Sequence, residues 1–366
     1  MTEPMTPRER WRAALRMQPV DRLSFWPKIF DKSYTQAQAS SFREMSIPDL
    51  YAYLGCDPHV PLPPCTREAR TTTAVESVTT DNVRVTTYTA PSGVLEAVDH
   101  FDADSGSWHP VIFPVKTRED IGVMREIFED CRIELDPETL EANRKTVAWI
   151  GENGSTWTGI GRSPLMNWLE FVAGIEGGQY LLADYPAEVE GLFDAMHAVL
   201  VRSAEILTEH SPVDALYMIE DTSTTYVSPK QYDRYCKPQI SEYGAIVRGA
   251  GRPLMLHMCG HLMGLLPTLA IMPADGFEAF TTPPVGNTTL LDGRTECPDK
   301  TLVGGTNAAL WLEPAERIIA EIAADLDALP HHRGIVISSA GMMPPGCRPE
   351  TIKQVCEWVH AYRARM

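Results

Sequence analysis

No stretch of this sequence is long and apolar enough to span a bilayer. A crossing helix needs roughly 18 uninterrupted apolar residues, and polar or charged residues interrupt every run well before that. Positive charge is also scarce. Asp and Glu number 49 against 32 Lys and Arg, for a formal net charge of -17. An acidic surface repels phosphate backbones and anionic lipid, so neither nucleic acid nor membrane is expected as a partner. None of the eight cysteines forms a C-x-x-C pair, which removes zinc ribbons and thioredoxin-type motifs. No G-x-G-x-x-G follows the first expected strand, which argues against a dinucleotide site. The opening MTEPMTPRERWRAALRM lacks the apolar centre of a signal peptide and carries Glu3 and Glu9. The expected location is therefore cytoplasmic, with the thiols reduced.

What is present is a chain of 366 residues, 44% of them hydrophobic, long for one domain unless the fold is a barrel. A helix is expected over residues 6–17, then a strand in RLSFWPKIF. Residues 70–115 are rich in Val and Thr, with turn signals at Asp81-Asn82 and Pro91-Ser92-Gly93. They read as antiparallel hairpins with no helix to cover them. From about residue 145, short apolar runs alternate with helical stretches: TVAWIG, DALYMIED, RPLMLHMCG, DGFEAFT, TLVGGTN and GIVISSAG. Leu192, Met196, Val199, Leu200, Ile206 and Leu207 mark one face of a helix between two of them. Apolar strands alternating with helices imply a parallel sheet, and seven or eight units suit an α/β fold of the (β/α)8 TIM-barrel type, with the antiparallel insertion near 70–115. A doubly wound open sheet is the alternative. One barrel domain over 1–366 is expected.

Barrel chemistry sits where the strands end. Those ends carry Glu220 and Asp221, then His257, Cys259 and His261, then Glu278, Asn307 and, in the last loop, Cys347. Two residues apart on a strand, His257 and Cys259 point the same way, and Cys347 can approach from the mouth of the last strand. One His and two Cys with a fourth position open is a catalytic zinc pattern. The alternative is plain packing, the usual fate of a cysteine. Cys356, on one helical face with Ile352, Val355 and Val359, is expected to pack, as are Cys56, Cys65, Cys131, Cys236 and Cys297.

YMIEDTSTTYVSPKQYDRYCKPQ, LHMCG, FTTPPVGNTTLLDGR, VGGTN, SSAGMMPPGCRPETIK and the opening PRERWRAALRMQPVDR resemble the blocks of the uroporphyrinogen decarboxylase superfamily over most of the chain. The resemblance implies the same barrel. It also implies one of two chemistries. The metal-free decarboxylases grip a porphyrinogen with an early RQAGR segment, where this chain reads FWPKIFDKSY. The zinc-dependent, corrinoid-linked methyltransferases carry H-x-C on a strand and a later cysteine, which His257, Cys259 and Cys347 match in type and order. The late cysteine usually follows the AG directly; here Met342 stands there and the cysteine comes five residues on.

The function so implied is methyl transfer from a methyl ether, including methoxy-aromatics, to cobalt(I) of a corrinoid, with Zn2+ bound to the ether oxygen. Transfer from methyl-cobalt to a thiol is one alternative. A metal-free lyase and a non-catalytic subunit of a methyl-transfer complex are others. No D-x-H-x-x-G occurs, so the cobalamin is expected on a separate corrinoid protein; a second copy of the chain is a further candidate partner. Glu220 and Asp221 are the candidate catalytic carboxylates. His261, Glu278, Asn307 and Trp26 are candidate substrate contacts. Phe30, Tyr34, Trp157, Trp168 and Trp311 could join Trp26 in an apolar pocket.

Overall fold

The computed structural model describes residues 4–30, 32–103 and 106–366. Thr6 starts the first helix, α1 (Pro7–Ala14). Its hydroxyl accepts from the Glu9 amide, the Glu9 carboxylate accepts from the Thr6 amide, and Pro7 occupies the first turn, a reciprocal cap that fixes where the helix begins. The barrel strands are β1 (Ser24–Trp26), β2 (His59–Pro61), β3 (Ser155–Gly161), β4 (Ala215–Ile219), β5 (Leu254–His257), β6 (Gly276–Phe280), β7 (Thr301–Gly304) and β8 (Ile335–Ser338). They form one sheet of eight strands in the order β1-β8-β7-β6-β5-β4-β3-β2, with every neighbouring pair parallel. The Asp57 amide donates to the Phe25 carbonyl at 2.9 Å, and the Phe25 amide donates to the Asp57 carboxylate at 3.2 Å. These bonds bring β2 back to β1 and nearly close the (β/α)8 barrel.

Register decides which side chains look inward. Trp26 pairs with Ser338, Val336 with Val303, Val303 with Glu278, and Glu278 with His257. Alternation along each strand puts all of these on one side of the wall. That side is the interior, because Lys28, just past β1, reaches Glu278 on β6 across the lumen. His257 and Glu278 thus occupy adjacent strands in the layer nearest the C-terminal mouth.

Two expectations about elements fail for local reasons. TVAWIG belongs to a helix, Pro137–Ile150, capped by the Asp136 side chain with Pro137 in its first turn; the strand of that unit is β3. A short apolar run does not separate a helix face from a strand, and the Asp-Pro start decides it. β2 lies among prolines at 58, 61, 63 and 64, which mask a three-residue strand. The helix Pro186–His210 has the expected face, with Leu192, Met196, Ile206 and Leu207 buried.

Between β2 and β3 the chain leaves the barrel. Thr66–Ala69 and Arg132–Leu135 pair antiparallel at the neck, and beyond them Ala74–Thr80, Val83–Ala90, Gly93–Asp102 and Ser107–Ile112 form a four-stranded meander. Its two-residue turns fall at Asp81-Asn82 and Pro91-Ser92, with Asp81 left-handed at φ 54°, as a tight hairpin demands. The expected lack of a covering helix is not seen: Arg118–Glu129 packs on one face, with Val123 over Gly93.

At the opposite end of the barrel from the mouth, α1 forms a floor. Trp11 is buried, donates to the Asp57 carbonyl at 2.9 Å, and stacks on His59 with ring centroids 4.1 Å apart. Arg10 and Arg22 hold Asp57; Arg8 and Arg12 hold Asp214 at 3.1 and 2.8 Å. No described helix is long and apolar enough to cross a membrane.

Candidate active site at the barrel mouth

Three strands converge on one imidazole. His257 is the last residue of β5. Its Nδ1 is hydrogen-bonded to Glu278 Oε2 on β6, and its Nε2 lies 2.9 Å from Asp221 Oδ1, in the loop after β4. The Cys259 thiol, two residues on, donates to the same Asp221 oxygen at 3.3 Å, while Met258 between them turns into the core. Gly260 makes this possible. A Cβ there would lie 2.5 Å from the Thr222 carbonyl oxygen, so only glycine lets the β5 loop press against the β4 loop. One ligand atom each from Asp221, His257 and Cys259 falls within 4.8 Å of the other two, the one such group among the described residues.

A second layer holds the first. Glu278 is buried, and its Oε1 lies 2.7 Å from Lys28 Nζ. Lys28 is also buried and donates to the Ala340 carbonyl at 2.7 Å. Arg162, after β3, reaches Asp221 Oδ2 at 3.4 Å and donates to Glu170 at 2.8 Å. The Tyr226 hydroxyl donates to the Asp221 carbonyl. Lys28, Asp221, Ala279 and Ala340 all hold left-handed backbone, with φ of 50°, 42°, 61° and 61°. For residues with a Cβ that conformation costs about 1–2 kcal/mol each, and such strain gathers at functional sites.

The charges follow from burial and partners. Burial opposes the ionisation of Asp221, but His257 and Arg162 outweigh it and hold the carboxyl at about 2. Glu278 is held at about 2 by Lys28 and His257 against the same penalty. Burial opposes the imidazolium of His257, yet the flanking carboxylates push its pKa well up. Glu220 and Glu170 go the other way: burial first, then the neighbouring Asp221 charge, raises them to about 7 and about 8.

Several sequence-predicted residues have other occupations. Cys347 is not in the cluster. It is buried in the last loop, its thiol 3.9 Å from the Arg348 carbonyl and its own carbonyl accepting from the Tyr34 hydroxyl at 2.6 Å. The longer path through MMPPG ends in packing. Glu220 is fully buried, its oxygens accepting from the Ser163 amide and hydroxyl at 2.8 and 2.7 Å. Glu278 is too deeply buried to meet a substrate. Asn307 caps the turn that follows it, accepting from the Leu310 amide at 3.0 Å while its amide nitrogen donates to the Pro283 carbonyl at 3.0 Å. Trp26, Trp168 and Trp311 are fully buried and Tyr34 nearly so; Phe30 and Trp157 are partly exposed. His261 is pinned through its backbone, its amide donating to Ser223 Oγ at 3.0 Å and its carbonyl accepting from the Thr224 amide at 2.9 Å. All eight cysteines are free, and all but Cys259 are buried.

Lys28, Arg162 and Glu170 went unseen in the sequence. The signal available was a charged residue within two positions of an expected strand end, as for Lys28 after SFW.

The three ligand atoms fit a zinc ion. A thiolate, an imidazole and a carboxylate suit zinc better than magnesium or calcium. Glu278 on Nδ1 leaves Nε2 as the coordinating nitrogen, which is the usual support for a metal-bound histidine.

Among solved structures the chain is similar to a methyltransferase from Methanosarcina mazei, with a TM-score of 0.61 and 14% identity over 97% of this chain and 98% of that one. A Listeria monocytogenes protein provisionally described as a vitamin-B12-independent methionine synthase aligns with a TM-score of 0.49 and 12% identity over 93% of this chain and 96% of that one. A search of curated proteins returns no match. At such low identity the likeness to the Methanosarcina structure speaks to the barrel alone. Residues 107–362 match the family model described as uroporphyrinogen decarboxylase (URO-D), more than half of the chain, and with the eight-stranded barrel and its mouth-facing site the protein belongs to that family.

Proposed function

We propose that the protein is a zinc-dependent methyltransferase, taking a methyl group from a methyl ether and passing it to the cobalt of a corrinoid carried by a separate protein. The convergence of Asp221, His257 and Cys259 at the mouth carries this reading, and the name of the Methanosarcina structure agrees with it. Asp221, His257 and Cys259 are the residues that would hold the metal. Bound there, zinc would supply Lewis acidity to an ether oxygen, whose alkoxide or phenoxide otherwise leaves badly.

The chain's own groups have separable tasks. Glu278 keeps the His257 ring in place through Nδ1. Arg162 steadies the second oxygen of Asp221. Phe171, Met263, Val285, Leu312 and Met342, on loops that follow strands, are exposed apolar side chains of the kind a docking partner covers. A carboxylate in place of a second thiolate donates less electron density to a metal, which favours ether activation over the presentation of a thiol. Two tests follow. Purified protein is expected to hold about one zinc per chain, lost in Cys259→Ser. With a partner corrinoid protein, a panel of methoxy-aromatics, simple methyl ethers and thiols is scored by methyl-cobalt absorbance. Absence of zinc and of zinc uptake sinks the proposal; turnover with thiols alone reverses its direction.

A further inference from the structure

Lys28 is a charged residue in an expensive position. It is 4% exposed, it sits on left-handed backbone at φ 50°, and a buried ammonium without a counter-ion costs several kcal/mol. Something has to justify it. Its Nζ meets Glu278 Oε1 and the Ala340 carbonyl, each at 2.7 Å. The other oxygen of Glu278 bonds His257 Nδ1. Four strands therefore contribute to one linear chain: the Ala340 carbonyl after β8, Lys28 after β1, Glu278 on β6, and His257 on β5.

The division of Glu278 between two partners is informative. A carboxylate bonded on one oxygen can still rotate about its Cβ–Cγ and Cγ–Cδ bonds. Hydrogen-bonded to His257 on the neighbouring strand through one oxygen and ion-paired with Lys28 across the lumen through the other, Glu278 is held in one orientation. Lys28 is too buried to touch a substrate, and it does not reach the three candidate ligand atoms. Both Lys28 and Ala340, whose carbonyl anchors the ammonium, hold left-handed backbone.

We propose that Lys28 is a positioning residue for the metal centre: by clamping Glu278 from across the barrel it fixes the orientation of the His257 ring, and so the direction of its Nε2 lone pair. This deepens the zinc reading and rests on it. Supporting partners of a metal-bound histidine typically carry about 10- to 100-fold of metal affinity, and that is the scale expected here.

The test has two arms, both on the full chain. In the metal-free protein, 1H–15N NMR reads the His257 Nδ1 proton. The clamp predicts a downfield, slowly exchanging signal in the wild type that is lost or broadened in Lys28→Met. In the second arm, Co2+ titration follows affinity and the ligand-field bands of bound cobalt. Lys28→Met and Glu278→Gln are each expected to weaken binding by about 10- to 100-fold and to shift the bands alike. The double variant is expected to be no worse than Glu278→Gln, because Lys28 acts only through Glu278. An unchanged Nδ1 signal, an unchanged affinity in a folded Lys28→Met protein, or losses that multiply in the double variant overturns the proposal. If Lys28→Met does not fold, Glu278→Gln, close to isosteric, still tests the clamp through the Nδ1 signal. If the wild type takes up no Co2+ or Zn2+, the metal reading fails and the NMR arm judges the clamp alone.

Discussion

At the floor of the barrel Asp57 accepts from Arg10, Arg22 and the Phe25 amide, and Asp214 from Arg8, Arg12 and the Thr156 amide. At the mouth, Asp221 shares one oxygen between His257 and Cys259, and Glu278 divides itself between His257 and Lys28. Both ends bury carboxylates, and they differ in who the partners are. Floor carboxylates meet chiefly arginines, which never lose their charge, and their pKa values are held down despite burial. Mouth carboxylates meet Arg162 and Lys28, but also an imidazole and a thiol, groups that can give up a proton and take a metal instead. The floor is built to stay as it is; the mouth is built to exchange one partner for another. The strained backbone is weighted the same way, with four left-handed non-glycine residues at strand ends around the mouth against one, Met17, just past α1 at the floor.

That contrast predicts where damage goes. Cys259→Ser is expected to lower zinc affinity by about a thousandfold and abolish methyl transfer while moving metal-free stability by less than about 1 kcal/mol; metal analysis and urea unfolding check the two halves. Asp57→Asn is the converse. It removes the buried charge that Arg10 and Arg22 share, although Arg10 keeps Asp21, costs up to about 3–5 kcal/mol, and leaves the metal affinity of the folded protein unchanged, as urea midpoints and metal competition would show.

A pH series sharpens the comparison. Burial depresses His59 to about 3, so the unfolded chain binds a proton at His59 below its ordinary pKa near 6.5 while the folded chain does not. The contribution of His59 is therefore complete above about pH 6.5 and is lost as pH falls, by up to about 1.4 kcal/mol per pH unit, while the raised Glu170 and Glu220 work in the opposite direction. Asp57 and Asp214, whose folded pKa values are lowered, add their own loss only below about pH 4. Between those two values His59→Gln should lose less stability per pH unit than the wild type, by up to about 1.4 kcal/mol; equal slopes in the two proteins would remove His59 from the account. The smallest effect expected is that of Cys347→Ser, a change in zinc affinity of less than about threefold, where Asp221→Asn costs tens-fold or more. A large loss in Cys347→Ser would return that thiol to the metal.

Much of this was legible before any coordinates. The β5 strand and the parity of His257 and Cys259 follow from alternation, and the hairpin turns from Asp-Asn and Pro-Ser-Gly. What was hidden is non-local. Glu278 reads as a strand-end carboxylate, but its partners arrive from β1 and β5, and no spacing records that. Nothing local marks Lys28 as buried, because its burial depends on β6 and β8 closing around it. Cys347 has the right residue type and chain order; the path of the loop decides against it. Asp221 was in view, but its side chain is aimed by a left-handed φ that nothing in the sequence signals at a non-glycine position.

The floor also sets a schedule for synthesis. Helix α1 is made ahead of every strand of the barrel, yet Asp57 comes about forty residues later and Asp214 about two hundred later. His360, 3.6 Å from Asp57, follows Asp57 by about three hundred residues. Until Asp214 has been made, Arg8 and Arg12 lack that partner, whereas Arg10 has Asp21 and then Asp57. The floor is therefore completed only when segments far apart in the chain have all been made.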